Sequence, residues 1–311
     1  MISEILQNKA TGTEHWRTLP ERGNPTSLHL LAWIATHLGR SAARLLLYPI
    51  TTYYVTTASA ARRSSYEYFR QMRGSPAHLG DVFRQFFCFA ATILDRVYLL
   101  RGQFDRFDVK LHGKEVLHPR MESGKGCILL GSHLGSFEVL RATGVMERKF
   151  PVKVLMDATH NQNITRLLDA LNPEIAGTVI APDRVDTLLM VKESLDAGFF
   201  VGTLGDRVSN DGKTAQCEFL GRSATFPVGP VVLAAMTHSP VILFFGLYRG
   251  GNRYDIYFEH FADEIILNRD RRSEEIQLWM QRYAQRLEHY ARLAPYNWFN
   301  FYPFWDQAPP R

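Results

Sequence analysis

The 311-residue chain has only three cysteines, Cys88, Cys127 and Cys217. They lie far apart and none forms a C-x-x-C pair, which excludes a disulfide scaffold and a zinc ribbon and fits a reducing compartment. No H-E-x-x-H sequence and no paired Cys/His spacing occurs, so no catalytic metal is indicated. Gly124-Lys125 lacks the upstream glycine and the following hydroxyl residue of a P-loop, and no G-x-G-x-x-G opens a first sheet strand. The sequence contains no D-x-D of a sugar-nucleotide site. It also lacks arginine-aromatic interleaving of the kind that marks an RNA-binding module, so nucleic acid is not an expected partner. A mean hydropathy of −0.17 is too polar for a polytopic membrane protein. Disorder is excluded as well, because 46% of residues are hydrophobic and only 22% charged.

Aromatics are plentiful at 12%, and the net charge is +5. Lipid interfaces and apolar grooves use such rings, and a basic excess suits an anionic partner. Residues 1–27 are polar and lack the pattern of a signal peptide, so they are expected to form an extension. Residues 28–104 form an expected helical, membrane-associating segment. It holds two runs of roughly 17 residues without Asp, Glu, Lys or Arg, at the lower edge of spanning length. Leu31, Ile34, Leu38, Ala42, Leu45 and Leu46 recur at helical spacing, and Pro49 is expected to kink or end that helix. Tyr53-Tyr54-Val55 followed by Arg62-Arg63 has the chemistry of an interfacial anchor, rings among headgroups and cations on phosphate. Arg40, Arg44 and His37 are expected to sit on the flank of the first helix or to snorkel, and a buried helical hairpin is the alternative to an anchor. A second helix is expected over Ser64–Leu100. From Arg40 to Arg101 nine arginines face Glu67, Asp81 and Asp95, a surface for anionic headgroups or an acidic carrier protein, or simply a solvated face.

From about residue 105 to 311 the pattern becomes alternating strands and helices. Strands are expected at 109–111, 126–130, 152–156, 178–180, 199–203, 241–246 and 254–258, and helices at 137–147, 161–172, 184–197, 227–237 and 273–293. The fold class is therefore α/β, a central and mostly parallel sheet flanked by helices, with the N-terminal helical membrane-anchoring segment appended. Residues 296–305 contain seven aromatics and are expected to pack across the sheet domain or a groove.

The chemistry concentrates at Gly126-Cys-Ile-Leu-Leu-Gly-Ser-His133-Leu-Gly-Ser-Phe-Glu138. An apolar strand ends in a glycine turn that carries a histidine and opens a helix. Open α/β sheets keep their sites at the carboxyl ends of strands. An imidazole titrates near neutrality and can take a proton from a hydroxyl, and a carboxylate beside it can fix its tautomer. Glu138 is expected to do this for His133, with Asp206 and Glu218 as possible second acids. Arg207 is a candidate for a substrate phosphate or carbonyl. Arg141 either pairs with Glu138 or meets substrate. Backbone N–H groups around Gly135 or in the 203–207 turn are candidates to hold an oxyanion. A serine hydrolase is disfavoured, since His133 fills the centre of the would-be G-x-S-x-G elbow.

His133-x4-Glu138 after an apolar strand resembles the H-x4-D/E signature of the glycerolipid acyltransferase superfamily, and within it the late acyltransferases of bacterial lipid A biosynthesis. Gly202-Thr-Leu-Gly-Asp206-Arg207 resembles the family's second block. Glu218-Phe-Leu-Gly221 with Thr225-Phe-Pro227-Val-Gly229 resembles its third, and Tyr296-Asn-Trp298 through Trp305 its closing aromatic motif. Ser132 and Phe137 stand where the typical block has Asn and Trp, the pattern of a divergent branch. The resemblance implies acyl transfer from a thioester, on acyl carrier protein or coenzyme A, to a hydroxyl or amine of a lipid acceptor. No cofactor beyond that co-substrate is implied. It further implies work at a membrane surface, on the cytoplasmic face of the bacterial inner membrane, peripherally or through a single anchor. A non-catalytic membrane adaptor with the same fold and a glycosyltransferase are the rival readings.

Overall fold

The computed structural model describes residues 33–35, 37, 39–140, 151–156, 177–182, 185–208 and 212–305. Three helices come first: α1 (Gly39–Thr57), α2 (Ser59–Arg73) and α3 (Leu79–Leu100). Strand β1 (Asp108–His112), a short α4 (His118–Ser123), β2 (Ile128–Gly131), β3 (Val152–Leu155) and β4 (Val179–Ile180) follow. Then come α5 (Thr187–Asp196), β5 (Phe200–Leu204), β6 (Thr214–Phe219), β7 (Arg222–Pro227), α6 (Gly229–Thr237), β8 (Val241–Tyr248), β9 (Arg253–Ala262) and α7 (Arg272–Leu293).

Seven strands form one sheet in the order β1-β9-β8-β2-β5-β3-β4. Every neighbouring pair is parallel except the β8–β9 hairpin. All residues of β2 and β8 are buried, as expected of central strands covered on both faces. Their period-two alternation feeds two cores. Ile128, Leu130, Val201, Leu243, Phe245 and Leu247 pack with Met280, Tyr283 and Leu287 of α7. Leu129, Phe200, Ile242 and Phe244 face the other way, toward Leu94, Val97 and Tyr98 of α3 and Ala43 and Leu47 of α1. The mostly parallel α/β sheet expected from the sequence is present, and each of its seven strands overlaps an expected one.

Strands β6 and β7 form a separate antiparallel hairpin, outside the strands expected from the sequence. Its two connecting residues, Leu220 and Gly221, both take positive φ, as a two-residue type I′ turn requires. The single helix expected over Ser64–Leu100 is two helices. Gly74 caps α2 in the left-handed conformation, and Ser75-Pro76 prevents continuation. Conversely, α1 runs through Pro49, whose ring lies on the exposed side, and breaks at Ala58. The expected helices at 137–147 and 161–172 fall mostly or wholly outside the described residues.

The packing gives no support to the expected membrane-anchoring helix. No helix among the described residues is long and apolar enough to cross a membrane. Instead α1 buries Ala43, Leu47, Thr51 and Val55, every fourth residue, and lies along α3. Arg40 is no flank residue: its Nε and Nη2 donate to Asp95 of α3 at 2.7 and 2.9 Å, and Tyr254 of β9 donates its hydroxyl to the same carboxylate at 2.8 Å. Arg44 donates to the Tyr248 hydroxyl at 2.7 Å. Burial holds the Asp95 carboxyl above its ordinary value against the pull of Arg40.

Candidate active site

Strands β2 and β5 are parallel neighbours with Gly131 opposite Leu204. Two residues past each carboxyl end stand His133 and Asp206, so the register alone brings them side by side. The Gly205 N–H donates to Gly131 O at 3.0 Å, extending the ladder into the two turns. From below, the Tyr283 hydroxyl of α7 donates to the same carbonyl at 2.7 Å. Past the histidine, Gly135 takes φ +78°, and a Cβ there would meet Gly246 O at 2.0 Å. Only glycine fits so close to β8.

Asp206 is 1% exposed and turns its carboxylate onto His133. The His133 backbone N–H is shared between Oδ1 and Oδ2 at 3.1 and 3.0 Å, and Nδ1 lies 2.8 Å from Oδ1. Trp298 Nε1 donates to Oδ2 at 3.0 Å. Burial alone would raise the Asp206 carboxyl. The hydrogen bonds from His133 and the Arg207 charge outweigh it and hold the group below the usual carboxylate range. An ionised acceptor at Nδ1 makes that nitrogen the proton-bearing one, which leaves Nε2 as the base. The imidazole keeps 29% of its side-chain surface in solvent. Its pKa is pushed below the ordinary histidine value by burial and by the charges of Arg207 and Arg96, against the pull of Asp206. A neutral ring with its tautomer fixed is ready to accept a proton at neutral pH.

Glu138 does not take the place expected for it. Its Oε1 accepts from Arg96 Nη2 of α3 at 2.8 Å, while Asp206 occupies Nδ1 of the imidazole. The i+5 spacing sets Glu138 near the turn, but α3 brings a cation to it. Arg207 lies beside the pair and donates through Nη2 to Phe299 O at 2.9 Å; burial lowers its pKa. Glu218 is not drawn in. It is exposed on β6, on the face opposite Phe219, with its backbone clasped by Gln281 of α7. The Gly135 N–H donates to Asn297 O and the Ser136 N–H to Gly246 O, both at 2.8 Å. These amides are therefore engaged, and Gly135 is corrected as an oxyanion donor. Arg141 lies outside the described residues. Among the described residues no three His, Cys, Asp or Glu side chains gather as metal ligands.

The aromatic tail forms one wall of this turn. Leu134 bridges Trp298, and the Phe299 N–H donates to His133 O at 2.8 Å. Asn297 accepts from Tyr248 N–H through Oδ1 at 2.6 Å, which joins the tail to β8. In the sequence Trp298 is one ring of the closing aromatic motif and Arg96 one of nine arginines, with no site role expected of either. A buried indole needs a hydrogen-bond acceptor, and that need was the available signal for Trp298.

The sequence model of the bacterial lipid A biosynthesis acyltransferases matches residues 89–307, from within α3 to the end of the aromatic tail. The chain belongs to this family. It is an acyltransferase of lipid biosynthesis, which displaces the adaptor and glycosyltransferase readings. No curated protein matches the chain. Helices α1 and α2 precede the matched residues, whereas β2, β5 and the tail that make the site all fall within them.

Proposed function

We propose that this acyltransferase moves a fatty acyl group from the thioester of acyl carrier protein to a hydroxyl or amine of a lipid acceptor, with His133 as general base and Asp206 as the residue that orients it. The contact of His133 Nδ1 with Asp206 at 2.8 Å carries this reading. His133 Nε2 takes the acceptor's proton as its oxygen or nitrogen attacks the thioester carbonyl. A carbon–oxygen or carbon–nitrogen bond forms, the carbon–sulfur bond breaks, and the proton passes to the departing thiolate. No acyl-enzyme is needed, because the acyl group arrives activated. With the Gly135 and Ser136 amides engaged, Arg96 and Arg207 are the charges near the imidazole that meet the developing oxyanion or a substrate phosphate. Glu138 holds Arg96 in that position through their ion pair.

A carrier-protein donor is supported by Arg63, Arg70 and Arg84, all exposed on α2 and α3 and suited to an acidic partner. A peripheral seat on the cytoplasmic face of the inner membrane is supported by the outer side of α1. Leu45, Tyr48 and Tyr53 are exposed along that helix, and residues 45–61 carry no charged side chain. The test is transfer of a labelled acyl group by purified protein, with lipid products read by mass spectrometry. His133→Ala is expected to lose roughly a thousandfold or more of turnover while remaining folded. Wild-type turnover in that variant would overturn the assignment.

A further inference from the structure

Trp298 heads the fully buried large side chains, in a cluster with Tyr68, Phe219, Phe304 and Trp305. An indole in such a cluster contributes mainly through its buried area, and its N–H takes any available carbonyl. Trp305 does this, donating from Nε1 to Phe219 O at 3.3 Å. Trp298 differs: its Nε1–H reaches the carboxylate that holds His133. Its backbone is locked to the same loop. Leu134 bridges it, Gln85 Nε2 of α3 donates to its carbonyl at 2.6 Å, and the next residue donates to His133 O. The indole thus has a fixed position relative to both partners of the pair.

We infer that Trp298 is a positioning residue for acyl transfer, its indole N–H holding Oδ2 of Asp206 so that Oδ1 stays on Nδ1 of His133. This rests on the reading of His133 as base and Asp206 as its orienting partner. A carboxylate fixed at one oxygen cannot swing about its terminal torsion. The same hydrogen bond draws charge from the carboxylate and tempers its pull on the imidazole proton. Losing the N–H leaves Asp206 a stronger acceptor, which stabilises the imidazolium and raises the pKa of His133. Among the described residues the charged and titratable groups near the pair are Arg207, Arg96 with Glu138 paired to it, Tyr283 and Tyr302. Arginine and tyrosine keep their protons between pH 5 and 8, and the Glu138–Arg96 pair is common to both variants compared below, so a limb that differs between them reports His133.

The experiment compares Trp298→Phe with Trp305→Phe in the full chain. Both remove one indole N–H and similar area from one cluster, and both rings pack on Phe219. Trp298→Phe is expected to lower turnover roughly tenfold, the scale of one hydrogen bond to a charged group. It should also move the acid limb of the kcat/KM profile upward by about half a pH unit. Trp305→Phe should leave the limb in place. Equal behaviour of the two variants, with an unmoved limb, would reduce Trp298 to packing. His133→Ala with full turnover would instead remove the underlying reading. If Trp298→Phe does not fold, the wild-type indole N–H resonance decides. It should titrate with the midpoint of the His133 ring, and an indole signal indifferent to pH from 5 to 8 overturns the inference.

Discussion

Two aspartates lie in the interior, Asp95 on α3 and Asp206 just past β5, and their partners separate a chemical site from a structural joint. Asp206 and Asp95 are both almost fully buried, and each accepts from an aromatic donor, Trp298 at one and Tyr254 at the other. Asp206 holds an imidazole that can lose its proton, with part of the ring in solvent. Asp95 holds the guanidinium of Arg40, which cannot, and with Tyr254 it ties α1 to β9 of the sheet. A buried carboxylate is thus uninformative about function until its partner is known. The adjacent α3 residues divide the two tasks, Asp95 toward α1 and β9, Arg96 toward Glu138 at the site.

The largest expected effect comes from removing charge at Asp206. Asp206→Asn keeps the volume but can present a donor to Nδ1, which favours the wrong tautomer. Turnover is expected to fall by roughly four orders of magnitude, as in Asp-His pairs of this type. Single-turnover transfer measures it, with circular dichroism to establish folding. A loss under tenfold would break the comparison, because Asp206 would then be as structural as Asp95.

Asp95→Ala should do the reverse. It leaves Arg40 mostly buried without its carboxylate, a change that costs about 3–5 kcal/mol of stability. Turnover per folded molecule should stay within a few-fold of wild type. Denaturant unfolding and active-site-normalised rates distinguish these outcomes.

The sequence made much of this arrangement legible. Apolar runs bounded by turns sufficed for β2, β5 and β8, because buried central strands are nearly continuous in apolar residues, and alternation marked β1, β3 and β9. They failed for β6, where only Ala215, Cys217 and Phe219 face inward, too sparse an alternation to stand out. His133 was readable from its strand-turn setting. Its partner was not, since Asp206 meets it only because β2 and β5 are neighbours in a given register, and sheet order is non-local. Glu138 looked like the partner because spacing along the chain is all a single sequence displays, and Arg96 came from a helix over forty residues upstream. The same blindness made Arg40 a flank residue when its partner was already in view as Asp95.

A smaller effect is expected at Tyr254. Tyr254→Phe removes one donor from Asp95 and leaves Arg40 in place, so the loss should be about 1.5 kcal/mol in unfolding free energy with no change in turnover. Set beside Trp298→Phe, this sharpens the contrast: the same kind of donor removed from two buried carboxylates should move stability at one and the rate profile at the other. A rate loss in Tyr254→Phe would show that the α1 joint reaches into the chemistry.

The smallest effect is one of slope, and its sign differs between the two aspartates. His133 and Asp206 both have depressed pKa values in the folded protein. The folded state therefore binds fewer protons than the unfolded one, and their contribution is complete above the unfolded values and lost as pH falls. For His133 the loss begins near the ordinary value of about 6.5, and for Asp206 below about 3.9. Asp95 is raised, so its contribution is complete below about 3.9 and declines as pH climbs through its folded value. Unfolding free energy measured from pH 4 to 8 should accordingly lose its acid-side fall just below 6.5 in His133→Ala, while Asp95→Asn should remove the opposing slope that starts near pH 4. Parallel curves for wild type and both variants would mean that neither group changes its proton affinity on folding. The difference between the His133 site and the Asp95 joint would then have no thermodynamic counterpart in that range.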